Sequence, residues 1–238
     1  MRFYTPKGKE IESPEYFIEF YSQCYYLNNS SVVEDKIDQL LKNKVNADDL
    51  PLILAWKTGR INHRESNLKK QIVFSDSWTE DPAKLTKNRN GSYINVMELQ
   101  EFMRNQEIPR NHITLLEELK KHSENSGLGT VYLLTLLYFL TNGQEPIYDR
   151  FAMIALTAIK KDIHPGDAVP YRELPDRSTN HFSDAILYKR KEEGSYIDYK
   201  QLLAEFPKYE PDNRDLDRAL WVYGHLFSET NWKKYAKR

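Results

Sequence analysis

Asn125-Ser126-Gly127-Leu128-Gly129-Thr130-Val131 and, further on, Pro146-Ile147-Tyr148-Asp149 are the two stretches on which the reading of this chain turns. Between them Thr130 to Leu140 is an apolar run of helical length that stops at Asn142-Gly143. Gly127-Leu128-Gly129 therefore joins two helical patterns, and its glycines allow positive φ or close backbone approach. Helix geometry leaves the amides around Gly129 to Val131 without acceptors. Such amides, with the helix dipole, favour an anion such as a phosphate. The same tripeptide also serves as a tight helix connection with no ligand, Leu128 plugging the helix pair. Asp149 has two readings as well. It follows a proline and precedes an apolar pattern, so it caps the next helix; or its carboxylate does chemistry beside the bound anion.

Outward from this point most of the chain reads as helix, by apolar residues at spacings of three and four. Ser13-Pro14-Glu15 opens one helix, Ser30 or Ser31 a second, and Asn46 or Asp48 a third that Gly59 closes. Further helices are predicted over Asn95 to Asn105, from Thr114 to the glycine turn, after Asp149, over Ile197 to Phe206, and from Asp215 to about Ser228. Residues 75–92 read as a surface loop, and 162–181, with Pro165, Gly166, Pro170 and Pro175, as a long irregular connection. The expected class is all-α, mostly helical with a few short strands.

Composition narrows the function classes. No apolar run approaches the roughly 20 residues that span a bilayer, and Met1 to Lys7 lacks a signal-peptide core, so a cytoplasmic protein is expected. Cys24 is the single cysteine and the six histidines show no paired ligand spacing, which argues against a metal site. Cys24 itself, among Tyr21, Tyr25 and Tyr26, reads as a buried thiol. Formal net charge is −1, not the basic balance common in nucleic-acid binders. The charge is uneven, however: Lys57, Arg60, His63, Arg64, Lys69 and Lys70 form one basic stretch.

Taken together, Gly127-Leu128-Gly129 and Pro146-Ile147-Tyr148-Asp149 resemble the signature of the helix-hairpin-helix DNA glycosylase superfamily, which includes endonuclease III, adenine-mismatch glycosylases and 8-oxoguanine glycosylases. That signature is Leu-Pro-Gly-Val-Gly, a position holding Lys or a small residue, Thr-Ala and an apolar helix, then Pro-Val-Asp or Pro-Ile-x-Asp with an essential aspartate. Val131 falls where bifunctional members carry a Schiff-base lysine, eighteen residues before Asp149 (149 − 131). Ser126 stands in place of the proline, Tyr132 of the threonine and Leu133 of the alanine. The resemblance spans roughly residues 114–160. The run Leu216 to Gly224 is also similar to compact bacterial proteins with an 8-oxoguanine-glycosylase fold.

The resemblance implies a glycosylase-like division: an N-terminal helical lobe over 1–110, a helix-hairpin-helix and aspartate core over 111–161, and a connection with C-terminal helices over 162–238. It implies a monomer without cofactor or metal, acting on double-stranded DNA that contains a modified base, in DNA repair by base excision. The hairpin residues Gly127, Leu128, Gly129 and Val131 would bind the DNA backbone, with Lys57 and Arg60 as further contacts. Tyr148, Trp56 and His181 are the candidate base-pocket residues; Tyr148 reads equally as core. A target base must leave the stack before its glycosidic bond is reached. Asp149 would then stabilise positive charge on the sugar or activate a water. Valine at 131 cannot form a Schiff base, so a monofunctional glycosylase is expected. Two other readings remain: a non-catalytic helix-hairpin-helix DNA binder with Asp149 as a cap, and a protein-interaction or regulatory module that retains the fold, which the near-neutral charge favours.

Overall fold

A computed structural model of the chain describes residues 1–27, 29–66, 69–88, 90–105, 107–165, 196–210 and 212–227. These residues are mostly helical, as the periodicity predicts, with nine α-helices and two small two-stranded sheets among them. None of these helices is long and apolar enough to cross a membrane. The chain separates into two compact units, Met1–Asn28 with Tyr148–Arg238, and Asn29–Ile147. The glycine hairpin thus belongs to one unit and Asp149 to the other. Compactness in space and the segments drawn along the sequence at 110 and 161 are different criteria, and they cut the chain at different places.

The first unit begins with strands β1 (Phe3–Tyr4) and β2 (Glu10–Ile11), paired antiparallel with Phe3 opposite Ile11. Helix α1 (Pro14–Tyr25) starts as the sequence predicts: Ser13 Oγ accepts from Tyr16 N–H at 3.1 Å and Pro14 occupies the first turn, where its missing N–H costs nothing. Cys24 on this helix is half-buried, not buried, because it lies toward the edge of the face that Phe17 and Tyr21 turn inward. Those two rings are fully buried and meet Tyr223 of α9 (Arg214–Leu226) at centroid distances of 5.2 and 5.1 Å. Burial pushes the Tyr21 and Tyr223 hydroxyls far up from their ordinary pKa, so both stay neutral, and Tyr21 donates to the carbonyl of Tyr4 at 2.6 Å.

Helix α7 (Arg150–Lys160) lies against α9, and α8 (Tyr196–Ala204) against α7. Gly224 sets the first contact. A Cβ at that position would sit 1.8 Å from the carbonyl oxygen of Phe151, so hydrogen is the largest substituent the approach admits.

The second unit holds α2 (Ser31–Lys42), a 3₁₀ turn (Ala47–Asp49), α3 (Leu50–Lys57), strands β3 (Ile61–Ser66) and β4 (Lys69–Phe74), and helices α4 (Met97–Asn105), α5 (His112–Lys121) and α6 (Thr130–Leu140). Of the alternative starts, Ser30 is the cap of α2, and Asn46 caps the 3₁₀ turn in a reciprocal box with Asp49. Gly59 closes α3 at φ +66°. Strands β3 and β4 form an antiparallel ribbon; it occupies the stretch that the sequence marks by its basic residues and by no strand pattern. The core runs from Leu50, Ile53 and Leu54 of α3 to Leu134 and Leu137 of α6, with Phe102, Tyr138 and Phe139 also buried.

Candidate functional site

The turn between α5 and α6 is organised by Ser126. Its Oγ donates to the carbonyl of Ser123 at 2.7 Å and accepts from Leu128 N–H at 3.0 Å. Its own carbonyl accepts from Asn95 N–H at 2.9 Å. Only 4% of Ser126 is exposed, so these bonds form away from water and fix the turn. Ser126→Ala is expected to cost about 2 kcal/mol, two modest hydrogen bonds, read as a lower urea midpoint; an unchanged midpoint would show that the turn holds without them.

Gly127 follows in the left-handed region at φ +73°, and a Cβ there would come 3.0 Å from Asn88 Nδ2. Gly129 is extended and forms the N-cap of α6, where no side chain caps the helix. Tyr132 N–H turns back to the carbonyl of Gly129 at 2.9 Å. Thr130 and Val131 supply amides of the kind that helix geometry orphans. Gly127 and Gly129 are exposed, while Leu128 and Val131 are half-buried. Chemically this is a helix N-terminus of favourable dipole approached over bare backbone.

Asp149 is the N-cap of α7. Its Oδ1 accepts from Phe151 N–H at 2.8 Å and its carbonyl from Met153 N–H at 2.9 Å. The carboxylate is half-buried, and a negative charge there complements the helix dipole. Phe151 is itself held, stacked on His225 at 3.4 Å between ring centroids and covered by the Arg150 guanidinium at 4.7 Å. The cap partner of Asp149 is therefore fixed by α9 as well as by its own helix.

Tyr148, next to Asp149, is 2% exposed and packs edge-on against Tyr199 at 5.2 Å and near Tyr196 at 6.2 Å. Of its two expected positions, the structure places it in the core. Burial, then the carboxylates of Asp149 and Asp198, push its hydroxyl well above the ordinary tyrosine pKa. For Tyr199 the causes are burial, then Asp217 and Asp149. Asp149 thus lies within electrostatic reach of two phenols that stay protonated at neutral pH. The aromatic partners on α8 are ones that sequence reasoning missed; nothing in their local pattern ties them to residue 149.

In the other unit Trp56 donates from Nε1 to Oε1 of the buried Glu34 at 2.7 Å, and its ring meets Phe139 edge-on at 5.9 Å. Phe139 is nine residues beyond Thr130 on α6, so this contact lies about 14 Å along the helix from the hairpin end. Lys57 is half-buried and Arg60 exposed, with Arg60 Nη1 donating to Ser77 Oγ at 2.8 Å. These three residues gather at the junction of α3 with the ribbon. His181 lies outside the described residues, as does most of the 162–181 connection.

No protein-family model, curated protein or solved structure matches the chain.

Proposed function

We propose that the chain is a monofunctional DNA glycosylase with the helix-hairpin-helix glycosylase fold, hydrolysing the N-glycosidic bond of a damaged or modified base flipped out of duplex DNA. The observation that carries the reading is a register: a left-handed glycine turn, an uncapped apolar helix beginning at Thr130, and Asp149 at the start of the next helix, eighteen residues after Val131. The orphan amides of α6 suit a DNA phosphate. In the reaction the C1′–N bond breaks, the base leaves with the bonding electrons and takes up a proton, and a water oxygen bonds to C1′. Asp149 stabilises the positive charge that develops on the sugar, or takes the proton of the attacking water. Its bond to Phe151 N–H holds the carboxylate in one orientation. Position 131 offers no amine, so the product is an abasic site and the strand is not cut by β-elimination.

A second reading, a non-catalytic helix-hairpin-helix DNA binder, is favoured by that same cap bond, since capping alone accounts for an aspartate at this position. Mass-spectrometric detection of a free base released from mixed natural and modified DNA separates the two. Release is expected; duplex binding without release of any base favours the second reading.

A further inference from the structure

The β3–β4 ribbon carries groups that the proposed excision chemistry does not use. From Lys57 to Phe74 the chain holds Lys57, Arg60, Arg64, Lys69 and Lys70 against Glu65, a formal +4 (5 − 1), so the remainder carries −5 (−1 − 4). The register sets Ile61 opposite Phe74, Asn62 opposite Val73, His63 opposite Ile72 and Arg64 opposite Gln71. Because strand side chains alternate between faces, Ile61, His63, Ile72 and Phe74 share one face, and all four are half-buried. His63 Nδ1 lies 2.7 Å from the Oγ of Ser30, the cap of α2, so this face is the one turned to the body of the unit. On the other face Asn62, Arg64 and Gln71 are exposed, beside a half-buried Val73.

The chemistry of that outer face selects its partner. It is cationic and rich in planar hydrogen-bonding groups, and Val73 is its one apolar side chain among the described positions 62, 64, 71 and 73. A lipid surface requires apolar anchors, and a protein hot spot requires buried aromatics; neither is offered among these described positions. A guanidinium suits phosphate or the edge of guanine, and side-chain amides suit adenine. A two-stranded ribbon fits a major groove about 12 Å wide, and six-residue strands of roughly 20 Å follow it for some distance.

We infer that β3–β4 is a nucleic-acid-binding arm that lays its Asn62–Arg64–Gln71 face into the major groove of duplex DNA, with Arg60 at its base on a phosphate. The inference takes its duplex partner from the reading above and nothing from Asp149. The test is fluorescence-anisotropy titration of the full chain with an unmodified duplex across a salt series, for wild type, Arg60→Gln/Arg64→Gln, and Lys160→Gln/Lys208→Gln as a control of equal charge change in the other unit. The ribbon variant is expected to reduce the log–log salt slope by about 1.8, which corresponds to about 60-fold weaker binding at 0.1 M salt. The control is expected to keep the wild-type slope, both variants to keep the wild-type circular dichroism, and duplex to bind more tightly than a single strand of equal length. An unchanged slope, an equal loss in the control, tighter single-strand binding or no duplex binding overturns the inference. Base release that persists alongside any of those results leaves the glycosylase reading standing. A ribbon-dependent slope without base release leaves the arm standing and removes the enzyme.

Discussion

Asp149→Asn is expected to lower single-turnover base release by on the order of 10² to 10⁴-fold, the usual contribution of a positioned acid or base, while the protein melts as wild type does. The separation follows from the two jobs of this side chain. Asparagine caps a helix about as well as aspartate, so Phe151 N–H keeps its acceptor at position 149. What asparagine lacks is the charge to stabilise a cationic sugar and the basicity to take a proton. Asp149→Ala removes both jobs: stability falls by about 1 kcal/mol from the lost cap, and excision falls as far as in the asparagine variant. If the asparagine variant releases base at the wild-type rate, position 149 is a cap and nothing more.

Gly224→Ala carries the largest expected effect on stability, a loss of about 3 kcal/mol from a total that in most domains is only about 5–15 kcal/mol. In an ordinary helix the same change is stabilising by about 1 kcal/mol, so even the sign is informative. Here the added Cβ would meet the carbonyl oxygen of Phe151 at 1.8 Å, its carbonyl carbon at 2.5 Å and its Cα at 2.9 Å. All three are backbone atoms, so no rotamer change relieves the clash; α7 and α9 must separate. Because Phe151 also donates the cap bond to Asp149, the displacement reaches the carboxylate, and excision is expected to fall together with the urea midpoint. A midpoint at or above wild type would refute the close approach.

Much of the scaffold was legible because helix boundaries are local chemistry. Ser13, Ser30, Asn46 and Asp149 each announce a start by a short polar side chain before an apolar pattern, and Gly59 announces an end. The ribbon was not legible, for equally local reasons. Ile61-Asn62-His63-Arg64-Glu65-Ser66 has one strongly apolar residue in six, and Asn67-Leu68 lacks the glycine that marks a tight hairpin. Its charges stood out while its pairing did not. Tyr148 is a different case. An aromatic beside a candidate carboxylate suits a base pocket or a core equally, and the residues that decide it, Tyr196 and Tyr199, lie some fifty positions away (196 − 148 = 48; 199 − 148 = 51). Gly224 reads as a weak point in a helix until Phe151 is seen across from it.

The course of the chain through the two units also bears on how the protein is made. Asn29–Ile147 is continuous, so the residues that make its internal contacts have all left the ribosome once residue 147 is clear. The other unit is built from both sides of that insertion. Its helix α1 emerges before the insertion, yet the surface that buries Phe17 and Tyr21 belongs to α9, about two hundred residues later (223 − 21 = 202). Closing so long a loop is slow although its entropic cost grows only logarithmically with length. During synthesis α1 therefore waits with its aromatic face uncovered, and the helix that carries Asp149 gains its final support only when Gly224 arrives.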